Sequence, residues 1–202
     1  MFNVKSFRIM PNWCYTSYVA TGDSKEVYDL YKKMKSLEDR EESLVPNGFG
    51  KSWLGNLVSL LGGDWQKVVC KGDWNNLNIS NDCSELRFNT ESAWAEPYEV
   101  IEFLKGHYPN IHFYFQAEEY GCGYWVSNDA DGLYFPERYA VDVWGDGIEY
   151  FEDLDKALSY LSKKIGKDIH SVEQAEEELC SFNENDDNPI FMKVYKVVGE
   201  SC

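Results

Sequence analysis

The chain has 202 residues, 44% hydrophobic and 16% aromatic, which is ample material for a packed core despite its charge. A net charge of −16 and a pI near 4.5 set its surface against phosphate backbones, which disfavours direct DNA binding and makes a basic protein the complementary partner. No apolar run reaches the roughly 18 residues of a membrane span, and the first residues lack the apolar stretch and cleavage site of a secretory signal, so a cytoplasmic protein is expected.

In chain order, Met10-Pro-Asn-Trp-Cys reads like a second start. Residues 1–9 are accordingly expected to be a dispensable extension upstream of Met10. Trp13 to Ala20 alternates as a strand does, with Trp13 as its expected anchor, and Gly22 breaks it. Asp23 with Glu26 predicts a capping box, followed by a helix on Val27, Leu30, Tyr31, Met34 and Leu37. Pro46-Asn-Gly marks a loop, and Trp53 to Leu61 an inserted helix closed by Gly62-Gly63. Gly63-Asp-Trp65 and Gly72-Asp-Trp74 read as two turns, each sending a tryptophan back to the core.

Asn76–Ser80 and Glu85–Thr90 predict a hairpin, and Pro97 the first position of a helix that Gly106 and Pro109 stop. Ile111–Ala117 follows as a strand. Strand, helix, two strands, helix, strand is the βαββαβ order of ferredoxin-like folds. The fold class is therefore α+β, with an extended antiparallel sheet and C-terminal helices. Strands at Tyr124–Ser127 and Arg138–Trp144 extend the sheet. Helices start at Asp153 and Ser171, and a β-rich run covers Ile190–Val198. The expected organisation is a domain over residues 10–150 with the inserted helix near 50–62, and an extension over 151–202 packed on that domain.

Several of these segments together resemble the YubB-type ferredoxin-like domain family carried by plasmids, phages and integrated elements. They are Met10-Pro-Asn-Trp-Cys14, Trp53-Leu-Gly-Asn-Leu57, Gly62-Gly-Asp-Trp65, Thr90-Glu-Ser-Ala-Trp94 and Glu118 to Gly123. The resemblance covers roughly Met10 to Trp144. The chain has Ala95-Glu96-Pro97 where the family pattern has a Ser-Pro-Pro-like continuation. The resemblance implies a fold and a mobile-element origin, and no catalytic residues.

The six cysteines, Cys14, Cys70, Cys83, Cys122, Cys180 and Cys202, include no CxxC pair, and His107, His112 and His170 do not join them at zinc-finger spacing. Reduced thiols and neither metal nor other cofactor are expected. Ser127-Asn-Asp-Ala-Asp-Gly132 has the look of a calcium loop but ends on Arg138 where a bidentate Glu is needed, so a turn is expected instead.

The candidate binding residues are Trp13, Trp94, Glu118, Tyr120 and Trp125, as an aromatic-lined cleft with a carboxylate. The expected function is a non-enzymatic accessory module of a mobile element that binds a protein, and in its narrower form an acidic DNA mimic. Two alternatives stand beside it. One is an enzyme using carboxylates among Glu118, Glu119, Asp129, Asp131, Asp142 and Asp146, with Mg²⁺. The other is an RNA-binding sheet of the RRM kind, against which the net charge weighs.

Overall fold

The computed structural model describes residues 12–46, 49–184 and 188–199. The expectation about residues 1–9 and Met10 lies outside them. By packing, the chain divides into two compact units, residues 1–124 and 125–202.

The first unit is ferredoxin-like. Its elements are β1 (Trp13–Gly22), α1 (Ser24–Glu38), α2 (Leu54–Leu60), β2 (Gly72–Ile79), β3 (Glu85–Ala93), α3 (Tyr98–His107) and β4 (Ile111–Glu119). The strands form an antiparallel sheet in the order β2-β3-β1-β4, so β3 lies between the two strands that α1 connects. That is the split arrangement of the class.

Strand alternation decides which face the helices cover. On β1 the side chains of Cys14, Thr16, Tyr18 and Ala20 are buried, while Trp13, Tyr15 and Ser17 face the other way. Trp13 was expected to be a core anchor, and it is half-exposed because the core claims the opposite parity of the strand. Tyr18, Leu86, Phe88, Trp74 and Phe113 meet Leu30, Met34, Leu57 and Leu104 from the helices in one cluster. Full burial of each such side chain stabilises by roughly 1.5–3 kcal/mol. The Trp74 indole also donates to Glu38 Oε1 at 3.1 Å, which satisfies its one polar atom.

Several local expectations need correction. Asp23 caps α1, accepting from the amides of Lys25 and Glu26 at 3.0 and 3.1 Å. Glu26 does not complete the box. Its carboxylate accepts from the Asn110 amide and side chain at 3.1 and 2.6 Å, tying the start of α1 to the turn before β4. Gly72-Asp-Trp74 is not a turn but the start of β2, four residues before the expected strand. Asn76, with φ of 54°, makes a bulge that shifts the register and hides the alternation. Pro97 stands just outside α3 at its N-cap.

Beyond the start of β5 (Tyr124–Ser127), the second unit holds β6 (Tyr139–Val143), β7 (Gly147–Phe151), α4 (Leu154–Ile165), α5 (Val172–Asn183), β8 (Ile190–Val194) and β9 (Lys196–Val197). Three of these strands make an antiparallel sheet in the order β7-β6-β8, and β9 pairs parallel with β5. Val141, Leu158, Leu161, Ala175, Leu179 and Ile190 form its core. Gly166 ends α4 in the left-handed conformation, and Ser171 Oγ caps α5 by accepting from Gln174 N. The expected single run Ile190–Val198 is broken at Tyr195 into β8 and β9.

Candidate functional site

In the first unit, the sheet face opposite the helices carries polar and aromatic side chains in register. Asp73 pairs with Glu91, Glu91 with Tyr15, and Tyr15 with Glu118, one residue from each of the four strands. At about 4.8 Å between strands, this row of three carboxylates around a tyrosine spans roughly 14 Å. The next row holds Asn89, Ser17 and Gln116, with Asn75 opposite Asn89. The face thus grades from anionic to neutral along the strands. Tyr15 is 48% exposed. Tyr120, just past β4, donates its hydroxyl to Glu118 Oε2 at 2.7 Å, which fixes that carboxylate.

At the anionic end of this face lies a cavity of about 410 Å³. Trp13, Phe49 and Trp53 line it with aromatic surface, and Asp73 and Glu91 line it with carboxylates. Trp53 is held in three ways. Its indole N–H donates to Cys70 O at 3.0 Å, its backbone bridges to Asp73, and Trp65 packs edge-on against it at 5.3 Å. Phe49 stacks on the Trp53 ring at 5.5 Å. Asn56 carries the Phe49 loop. Fully buried in α2, it accepts from Val45 N at 2.9 Å and donates to Gly50 O and Lys51 O at 2.8 and 3.0 Å.

Two glycines shape the cavity. A Cβ on Gly55 would lie 2.2 Å from the Trp53 ring, and one on Gly72 only 2.0 Å from Glu91 O. Gly72 also has φ of 129°, so this close strand approach requires glycine. Burial, and then repulsion from Glu91, raise the Asp73 carboxyl above its ordinary range. Among the described residues neither Asp73 nor Glu91 has a basic partner within ion-pair distance. Glu91 Oε1 accepts from Asn75 Nδ2 at 3.5 Å. The Cys70 thiol in the lining is pushed up to about 11 by burial, which keeps it protonated and poorly nucleophilic.

The residues singled out in the sequence are placed as follows. Trp13 lines the cavity, and Glu118 with Tyr120 stands on the same face. Trp94 is exposed with φ of 75°, a left-handed conformation unusual for so large a side chain, and its amide donates to Asn12 O at 2.9 Å. Trp125 is buried in the second unit, edge-on to Tyr195 at 5.3 Å, and belongs to a core cluster. Phe49, Trp53, Asp73 and Glu91 were not singled out as binding residues, although Trp53 and Glu91 fall inside the motifs that carry the family resemblance.

The other carboxylates are engaged locally. Glu119 is buried and accepts from the amides of Gly121 and Cys122 at 2.7 and 2.6 Å, closing the turn after β4. Asp129 is buried and accepts from Leu133, Tyr134 and Phe135 amides at 3.0, 2.6 and 2.8 Å, organising its own loop. Asp146 pairs with Lys164 at 2.8 Å. Glu118 and Asp142 lie in different units. Among the described residues no group of three or more His, Cys, Asp or Glu is arranged to hold a metal ion. No helix among them is long and apolar enough to cross a membrane.

Residues 64–129, about a third of the chain, match the family described as a ferredoxin-like domain in Api92-like protein. The matched stretch runs from the turn before β2 through β3, α3, β4 and β5, and includes Asp73, Glu91 and Glu118. Comparison with curated proteins and with solved structures gave no match. Fold and comparison agree that the chain contains a ferredoxin-like α+β domain.

Proposed function

We propose that this is a non-enzymatic protein-binding module whose contact surface is the helix-free face of the ferredoxin-like sheet, and that its partner presents a basic segment there. The carrying observation is the in-register row Asp73, Glu91, Tyr15, Glu118. A row of carboxylates around an exposed aromatic ring complements cationic side chains and repels phosphates, which favours a basic protein over RNA on a face that RRM domains use for bases. Of the carboxylates an enzyme would draw on, Glu119 and Asp129 are committed to loop amides and Asp146 to Lys164.

The narrower identification with the YubB-type family of mobile elements is part of the same reading. It rests on motif residues that converge on one place: Trp13, Trp53, Glu91 and Ala93 all line the cavity. DNA mimicry is its sharpest form, in which duplex DNA competes with the chain for the partner.

The test uses an unstructured peptide of alternating Arg and Gly and two charge reversals of equal net effect. Glu118→Lys reverses a charge on the face. Glu177→Lys reverses one on the exposed acidic side of α5. The expected loss of affinity is about tenfold for the first and little for the second. Equal losses would reduce the interaction to general acidity and overturn the reading.

A further inference from the structure

We propose that the cavity between Trp13, Phe49, Trp53 and the Asp73–Glu91 pair is a receptor for a single guanidinium group, an arginine side chain of the protein partner. The inference rests on the binding-module reading and adds to it the identity of the group that is read.

Three features select that ligand. First, Phe49 and Trp53, stacked on one another at 5.5 Å, line the cavity together with Trp13, so a flat cation entering it meets aromatic surface. Arginine is the side chain that both stacks on aromatic rings and carries charge. Second, Asp73 and Glu91 stand directly opposite each other and line the same cavity, and among the described residues neither has a basic partner within ion-pair distance. A guanidinium presents a planar fork of N–H donors that matches carboxylate oxygens two at a time. A quaternary ammonium would leave those oxygens without donors, and a lysine ammonium is compact and strongly hydrated, so it loses more on entry. Third, the sign of the lining is fixed. Among the described residues of the lining Lys71 is the one basic side chain against two carboxylates, which disfavours phosphate and carboxylate ligands.

The volume agrees, since 410 Å³ lies within the range of small-ligand pockets, about 300–1,000 Å³. The Asp73 carboxyl is raised by burial first and by Glu91 second, and a bound guanidinium would counter both. The walls are built to last. Trp53 is anchored to Cys70 O, and the buried Asn56 holds the backbone at Val45, Gly50 and Lys51 on either side of Phe49, which lowers the ordering cost of binding there.

The experiment titrates the full chain with N-acetyl-arginine amide, its neutral isostere N-acetyl-citrulline amide, and N-acetyl-lysine amide. Intrinsic tryptophan fluorescence and calorimetry follow the binding. The expected result is saturable binding of the arginine compound, with citrulline weaker by roughly tenfold or more and lysine between them. Asp73→Asn and Phe49→Ala should each weaken arginine several-fold, the latter at a side chain exposed enough that folding is not at risk. Circular dichroism confirms that both variants fold. Citrulline binding as well as arginine, indifference to both substitutions, or no saturable binding would each overturn the proposal. Should the cavity fail while the basic peptide still discriminates Glu118→Lys from Glu177→Lys, the sheet-face reading stands and only the guanidinium receptor falls.

Discussion

Asp73 on β2 and Glu91 on β3 are direct cross-strand partners, two carboxylates side by side at the mouth of an aromatic cavity. Like charges opposite one another destabilise a sheet. The pair therefore carries a cost in the free protein, and a site that binds cations explains why such a cost would be tolerated.

The cost has a definite pH dependence. The Asp73 carboxyl titrates above its unfolded value, so its contribution is fully present below the unfolded pKa of about 3.9 and is lost as pH rises through the folded value. Asp73→Asn should consequently raise the melting temperature slightly at pH 7, and the advantage should shrink to nothing near pH 3. Thermal melts of both proteins across this range check it. A variant less stable than wild type at pH 7 would show that Asp73 has a stabilising partner.

Asn56 supports the cavity from behind. Asn56→Ala removes an acceptor from Val45 N and donors from two carbonyls in a buried setting, which should cost about 2–4 kcal/mol in urea unfolding. The Phe49 wall should loosen with it, visible as weaker arginine binding even at temperatures where the variant remains folded. A loss below about 0.5 kcal/mol would mean that the loop is held by something else.

The glycines of the walls should not tolerate a methyl group. At Gly72 an added Cβ meets the Glu91 carbonyl at 2.0 Å in a backbone conformation that alanine avoids, so Gly72→Ala should destabilise by about 2 kcal/mol or more. At Gly55 the clash is with the Trp53 ring, so Gly55→Ala should shift tryptophan fluorescence as well as stability. Wild-type behaviour in either variant would contradict the packing described.

Glu119 is a further check on how the face is fixed. Removing the carboxylate that gathers the Gly121 and Cys122 amides, as in Glu119→Ala, should cost about 1–3 kcal/mol and free the turn that carries Tyr120. Hydrogen exchange at Gly121 and Cys122 should accelerate. Unchanged protection there would remove the proposed role.

Much of the fold was legible from periodicity. The phase of α1, the stop at Gly166 and the cap at Ser171 follow from local chemistry, and the βαββαβ order follows from the sequence of elements. What was not legible depends on distant partners. Gly72-Asp-Trp74 looks like a turn because the bulge at Asn76 erases the alternation of β2, and the five-residue β7, whose Ile148 and Phe151 are only partly buried, shows no clean alternation. The candidate site divides the same way. Trp13, Glu118 and Tyr120 advertise themselves by residue type, whereas Asp73 and Glu91 become a pair only through cross-strand register. Phe49 gains its place from Asn56, seven residues on.

The most direct measurement of the central claim is a map of backbone amide shifts while the Arg-Gly peptide is titrated into the isotope-labelled chain. The shifts should concentrate at Tyr15, Asp73, Glu91 and Glu118 and around the cavity wall at Trp13 and Trp53. Shifts gathered instead on the acidic surface of α5, at Glu173, Glu176 and Glu177, would contradict it.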